Sequence, residues 1–336
     1  NSPVWFNVGV EEKPQCSACQ PYRALVSTPS GFYQIGEIVE KQLIGLPVYD
    51  SHGITQVLAT KQNGIKEVWR VTLRNGTFIE ATGDHLVKSV PVRRVHPQWA
   101  RVDQLQLGMR LHLYPHREAL TQSLFVPRFV PQLVASAHAD RVLTREVVAT
   151  DARLSQREVS EAALAGWLQA DGFVGQYKAG TNRSLTAEFI VMNEEERAWV
   201  ESHLDVIFSG VHRKVRVTTT KAGTPVTRIR LYGESLRSFV EAYGLLRRRQ
   251  DIRVPARVQR GGPEVISAYL RSVFQSEGFV VIRGRSVHLA IDTIGAAWMH
   301  DLQVLLYGMG IYARLRRKKE KRTNRVDLYE LDVSYG

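Results

Sequence analysis

Cysteine is scarce: Cys16 and Cys19 are the only two in 336 residues. No disulfide framework can hold such a chain, and a reducing cytoplasm is the expected compartment. Their Cys-x-x-Cys spacing has no second pair and no nearby His to complete a zinc site. Long apolar runs are missing too. Nothing approaches 18 consecutive apolar residues, which excludes a helical membrane span. Acid is under-supplied, with 33 Asp+Glu against 45 Lys+Arg and a formal charge of +12. That excess points to a polyanionic partner, most simply nucleic acid. The start has no initiator methionine, basic leader or apolar signal core. A chain opening Asn1-Ser-Pro-Val-Trp5 reads as a piece of a longer reading frame.

What is present is globular, with 44% hydrophobic and 23% charged residues, enough for more than one domain with a real core. Residues 22–90 read mostly as short strands. Leu46-Pro-Val-Tyr-Asp50 and Val68-Trp-Arg-Val-Thr-Leu73 alternate, while Ile35, Ile38, Val39 and Leu43 hint at one helix. Turn signals recur at Thr28-Pro-Ser-Gly31, Asp50-Ser-His-Gly53, Asn63-Gly64 and Asn75-Gly76. This predicts a mainly β unit running to about residue 115, followed by a connector.

The texture then changes. Helix is predicted over 160–170, 194–206 and 234–243, a strand over 184–191, and a hairpin over 214–232 turning near Ala222-Gly223. The order recurs: helix over 265–276, strand over 285–291, helix over 293–307, hairpin over 314–333. This is an internal repeat of about one hundred residues, whose second copy lacks the closing helix of the first.

Aligned, Leu164-Ala-Gly-Trp-Leu-Gln-Ala-Asp-Gly172 lies over Leu270-Arg-Ser-Val-Phe-Gln-Ser-Glu-Gly278. Small residues fall four apart in both, at Ala162, Gly166 and Ala170, then at Ala268, Ser272 and Ser276. Such a ridge lets two helix backbones approach closely. If the helices pack together, Asp171 and Glu277 become neighbours. Two adjacent carboxylates at negative helix ends are unfavourable, by about 1 kcal/mol each for the dipole alone. A divalent cation reverses the sign, and oxygen-only ligation favours Mg2+. The chemistry indicated is metal-assisted phosphodiester hydrolysis. The plainer alternative is a tight helix pair with solvated end carboxylates.

The first string resembles the signature of the LAGLIDADG homing endonucleases, and two copies resemble their single-chain members. The resemblance implies α+β, pseudo-twofold αββαββα repeats whose sheets read the DNA major groove. It implies that Asp171 and Glu277 are catalytic and bind the metal, with a basic hairpin residue nearby: Lys221 in the first half, Lys321 or Lys318 in the second. Arg271 and Ser272 depart from the usual Ala and Gly. The hairpins suit double-stranded DNA, because Lys214 and Arg216, then Arg228 and Arg230, alternate with apolar residues. In the second half, Arg314, Arg316 and Lys318 belong to a 314–325 run with eight basic residues and one acid.

The N-terminal unit resembles the Hint fold of inteins, an all-β domain. Cys19 matches the first intein residue, Ala24-Leu-Val-Ser-Thr-Pro-Ser-Gly31 the following strand and turn, and Thr82 and His85 the Thr-x-x-His block. Pro97-Gln-Trp-Ala-Arg-Val-Asp-Gln-Leu-Gln-Leu-Gly108 resembles the segment after it. The resemblance implies an N-to-S acyl shift, with the Cys19 thiol attacking the Ala18 carbonyl, His85 serving the amide nitrogen and Thr82 positioning the bond. Asn1-Ser-Pro-Val-Trp-Phe-Asn7 with Pro14-Gln-Cys-Ser-Ala-Cys19 resembles class II, cobalamin-dependent ribonucleotide reductase. Inteins end in His-Asn before Cys, Ser or Thr, whereas Asp332-Val-Ser-Tyr-Gly336 carries no such block. Complete splicing by this chain alone is therefore not expected: either it is a truncated or split intein, or the remaining intein segment lies on another chain.

The expected layout is host sequence over 1–18, splicing domain over 19–115, connector or accessory DNA contact over 116–159, and endonuclease over 160–336, its repeats meeting at 260/261. The expected protein is monomeric, not membrane-bound, and cuts the uninterrupted ribonucleotide reductase gene. The rivals are a self-processing fragment with a decayed nuclease and a non-catalytic DNA-binding protein on the same repeat.

Overall fold

The computed structural model describes residues 3–6, 19–50, 53–112, 152–176, 184–220, 222–283, 286–320 and 326–334. Lys221, Lys321, Cys16 and most of the predicted connector lie outside them. The chain divides into two compact units, Asn1–Thr150 and Asp151–Gly336. Among the described residues, no helix is long and apolar enough to cross a membrane.

The first unit is built from short antiparallel strands. β1 (Pro3–Phe6) lies between β2 (Gln20–Pro21) and β7 (Thr60–Gln62). Hairpins join β3 (Leu25–Thr28) to β4 (Gly31–Gln34), and β5 (Pro47–Asp50) to β6 (Gly53–Gln56). A third joins β8 (Trp69–Thr72) to β9 (Phe78–Ala81). β10 (Leu86–Val90) is flanked by β11 (Gln98–Arg101) and β12 (Arg110–Leu111). The helical hint is a short helix, α1 (Ile35–Glu40). Its Ile38 joins Leu43, Leu46, Val48 and Val57 in a buried cluster against Val26 and Tyr33. At Asn75-Gly76, Asn75 Oδ1 accepts from the Thr77 amide at 3.1 Å and Gly76 takes φ +86°, which turns the chain between β8 and β9.

The second unit opens with α2 (Ala152–Asp171), which begins earlier than the predicted residue 160. It continues through β13 (Gly172–Gln176), β14 (Leu185–Val191), α3 (Glu194–Ile207), β15 (Arg213–Thr219) and β16 (Pro225–Tyr232). Next come α4 (Arg237–Ala242), α5 (Ala256–Gln259) and α6 (Pro263–Glu277). β17 (Phe279–Arg283), β18 (Ser286–Thr293), α7 (Ala296–Gly308), β19 (Arg314–Lys318) and β20 (Leu328–Ser334) follow. The two four-stranded antiparallel sheets share one strand order, β13-β14-β16-β15 and β17-β18-β20-β19. Strands β13 and β17 were not read from sequence. Each is five residues long; β13 begins at the glycine after its helix and β17 directly follows one, and in the sequence that glycine reads as a loop. Thr293, expected in a helix, ends β18 instead.

Period-two alternation assigns the faces. Leu185, Ala187, Phe189 and Val191 are buried on one face of β14, where the Trp167 indole donates to the Ile190 carbonyl at 2.8 Å. Thr186, Glu188 and Ile190 take the other face. Asn193 caps α3, accepting from the Glu196 amide at 2.8 Å, while Glu196 accepts from the Met192 amide at 2.7 Å. The join between the halves is pinned by buried Asp301, which accepts from Arg253 at 2.7 and 2.8 Å and from the Val254 amide at 3.1 Å.

One difference separates the halves. In the first, the turn Glu234–Leu236 packs on β14 and β16, with Leu236 buried in it and Phe239 and Val240 buried in the helix that follows. In the second, no described residue plays that part. Val174 is 1% exposed, whereas Val280 at the matching position is 65% exposed. Leu185 is 0% exposed, whereas Val287 is 57% exposed.

Candidate functional site

Helices α2 and α6 pack along their small-residue faces. A Cβ added at Gly166 would lie 2.6 Å from the Tyr269 carbonyl oxygen and 3.2 Å from Ser272 Cβ. Only glycine fits there. The pair is also tied by polar groups: Tyr269 OH donates to Gln169 Oε1 at 2.5 Å and accepts from the Trp298 indole at 2.9 Å. The two departures from the signature have partners. Trp199 Nε1 donates to Ser272 Oγ at 3.0 Å, and the Arg271 guanidinium lies 3.9 Å from the Trp199 ring centroid.

Asp171 ends α2 and Glu277 ends α6, each followed by a glycine. A Cβ on Gly278 would come within 2.1 Å of the Phe274 carbonyl oxygen, and one on Gly172 within 2.5 Å of Leu168 Cα. The tight exits hold both carboxylates at the helix ends. Burial raises the Asp171 pKa to about 6; the Arg228 charge opposes this and Glu196 adds to it. Burial and, to a lesser extent, the Asp171 charge together raise Glu277 to about 7. The Glu277 side chain is also exposed to solvent, which leaves it open to a ligand. The sequence thus places two carboxylates from distant segments within reach of each other's field. Among the described residues, no three His, Cys, Asp or Glu side chains converge as a ready metal cage. A cation here would need water or substrate oxygens besides these two acids. The donor set fits a hard divalent cation, because its charge would relieve both the burial cost and the mutual repulsion.

The predicted DNA-contacting residues share the open faces of the two sheets. Lys214 and Arg216 on β15 pair in register with Arg230 and Arg228 on β16. Arg314 and Arg316 lie on β19, opposite Asp332 and Glu330 of β20. Lys318 is ion-paired, at 2.6 Å to Glu330 and 3.0 Å to Asp292. The acids were missed in sequence: Glu188, Glu330 and Asp332 are all buried on these basic faces. Glu188 sits between Thr186 and Ile190 on the polar phase of β14, which was the available signal.

In the first unit the other candidate residues meet. The Cys19 amide donates to Thr82 Oγ1 at 2.9 Å, and the Thr82 amide donates to the Cys19 carbonyl at 2.9 Å. Asn63 Nδ2 donates to Cys19 Sγ at 3.3 Å, a contact the sequence did not suggest. The His85 amide donates to the Thr82 carbonyl at 3.0 Å. Burial lowers the His85 pKa, which keeps the ring neutral, and its Nδ1 has no hydrogen-bond partner among the described residues.

Residues 264–336 match the model of the LAGLIDADG-like domain, so an α+β LAGLIDADG-like fold is present in the second unit. No curated protein matches the chain. Among solved structures, it is similar to a variant of I-DmoI in complex with its target DNA in the presence of manganese. That likeness has 13% identity and TM-score 0.39, covering 53% of this chain and 88% of that one. The homing endonuclease I-WcaI bound to its DNA recognition sequence is similar at 11% identity and TM-score 0.35, covering 53% and 76%. The N-terminal LAGLIDADG domain of DUF199/WhiA is similar at 16% identity and TM-score 0.34, covering 53% and 76%.

Proposed function

We propose that the Asp151–Gly336 unit is a divalent-metal-dependent, site-specific double-strand DNA endonuclease of the LAGLIDADG homing type. The observation that carries the reading is the pairing of Asp171 and Glu277 at the ends of two helices packed through Gly166. The match of residues 264–336 to the LAGLIDADG-like domain supports it, as do the formal charge of +12 and the basic open faces of both sheets.

Asp171 and Glu277 are the residues that would hold the cation, Mg2+ in this reading, through carboxylate oxygens. When bound, it supplies an activated water and stabilises the leaving oxygen. With that charge beside them both acids would be ionised at neutral pH, whereas without it burial raises both pKa values, Glu277's to about 7. Lys214, Arg216, Arg228 and Arg230, with Arg314, Arg316 and Lys318, receive phosphates and base edges. Lys221 and Lys321 remain the candidates for a basic residue at the scissile phosphate. The test is a digest of duplex DNA spanning the uninterrupted ribonucleotide reductase junction, with and without Mg2+. The wild type cuts both strands only with metal, and Asp171→Asn binds without cutting. A wild type that binds and never cuts favours a decayed nuclease or a non-catalytic DNA-binding protein.

The meeting of Cys19 with Thr82 favours a second activity for the first unit, the opening step of intein-type self-processing. The Cys19 thiol attacks the Ala18 carbonyl, a thioester forms, and the carbon–nitrogen bond to Cys19 breaks as that nitrogen takes a proton. Thr82 Oγ1 orients the Cys19 amide, and His85 serves the departing nitrogen. In this reading residues 1–18 are host sequence and the nuclease target is the host gene without the insertion.

A further inference from the structure

The open face of the first sheet carries one acid among bases. Glu188 is 3% exposed. Arg228 Nη1 donates to its Oε1 at 2.6 Å, and Arg230 donates to its Oε2. Arg216 Nη2 lies 3.9 Å from the same oxygen. Arg228 Nε is also held by Thr218 Oγ1 at 2.9 Å, and Arg230 Nη1 donates to Tyr232 OH at 3.4 Å. The register makes this fan: Glu188 faces Arg230 across the ladder, and Arg228 faces Ile190 on one side and Arg216 on the other. The second sheet repeats the device with other residues. Buried Asp332 takes His288 Nδ1 at 2.8 Å and Arg316 Nη2 at 3.5 Å, and buried Glu330 takes Lys318.

An acid on a surface meant only to grip phosphate is counter-productive, since it offsets the charge that drives counterion release. A guanidinium that reads a base edge has a different need. It must hold its planar fork in one orientation, and a carboxylate bonded to one edge fixes that plane; Arg228 keeps its Nη2 donors, and Arg230 the second hydrogens of Nη1 and Nη2, for a further acceptor. From this we infer that Glu188 is a positioning residue for sequence discrimination, presetting Arg228 and Arg230 for base-edge contacts in the major groove. The inference rests on the DNA-binding reading above.

The test selects preferred sites for the full-length protein from a randomised duplex pool, and measures salt dependence on one fixed duplex of random sequence. Glu188→Gln is expected to bind the random duplex more tightly, with a salt slope steeper by about one. Its discrimination at the strongest guanine positions falls by about tenfold. Glu188→Asp restores part of the preference. Arg230→Lys, which keeps the sheet's charge, retains the wild-type salt slope and loses preference at one position; it carries the test if Glu188→Gln does not fold. Unchanged site preferences in Glu188→Gln and Arg230→Lys overturn the inference while the DNA reading stands. A wild type without affinity for any duplex overturns both.

Discussion

Gly166 and Tyr269 approach so closely that a single added methyl on Gly166 would lie 2.6 Å from the Tyr269 carbonyl oxygen. This contact sets the separation of the motif helices and therefore of the acids at their ends. Gly166→Ala is expected to destabilise the second unit by about 1–3 kcal/mol through overpacking. Gly210→Ala, where a Cβ meets nothing within 4 Å, should stay within about 0.5 kcal/mol. Chemical denaturation of both variants checks the pair. An unchanged midpoint for Gly166→Ala would mean that the helices can separate freely.

Stability should depend on pH through the same acids. Both bind protons more tightly in the folded chain, near 6 for Asp171 and 7 for Glu277, than at their ordinary 3.8 and 4.5. Between those limits the native state holds more protons than the unfolded one. Stability therefore falls as pH rises from about 4 to about 7, and the loss is complete above that. The Asp171→Asn, Glu277→Gln double variant should lack this contribution and gain on the wild type at pH 8 in metal-free buffer. Melting curves across pH 4–8 read the difference. A wild type and variant that run parallel would count against the raised values.

At the N-terminal site, thiol treatment is expected to release residues 1–18 from the wild type. Cys19→Ala should release none. Thr82→Ala, which loses the 2.9 Å acceptor of the Cys19 amide, should release them at least tenfold more slowly. Mass spectrometry follows the fragment, and equal rates in all three proteins would remove the second activity.

The unequal cover of the two sheets gives a matched pair of substitutions. Leu185→Ala empties a buried position and should cost about 2–5 kcal/mol. Val287→Ala at the equivalent, 57% exposed position should stay within about 0.5 kcal/mol. Similar losses for both would show that the second sheet is covered in solution.

Much of the second unit was legible because its signals are local and doubled. The residues from Leu164 to Gly172 align with those from Leu270 to Gly278, and the four-residue spacing of small side chains implies helix contact without any three-dimensional knowledge. Strands β13 and β17 escaped because a five-residue run beginning at or just after a glycine has too little period to read. Glu188 escaped for another reason. Its meaning lies in cross-strand register, which brings Arg228 and Arg230 from forty residues away. Asn63 is similar: only the fold carries its amide to Cys19 Sγ.

The central claim is that Asp171 and Glu277 share one site. Carboxyl titration by NMR on protein labelled at Asp and Glu side chains tests it most directly. Glu277 should titrate near 7 in the wild type, move down toward the ordinary glutamate range in Asp171→Asn, and move down in the wild type when Mg2+ is added. A Glu277 titration indifferent to both the substitution and the cation would contradict the account.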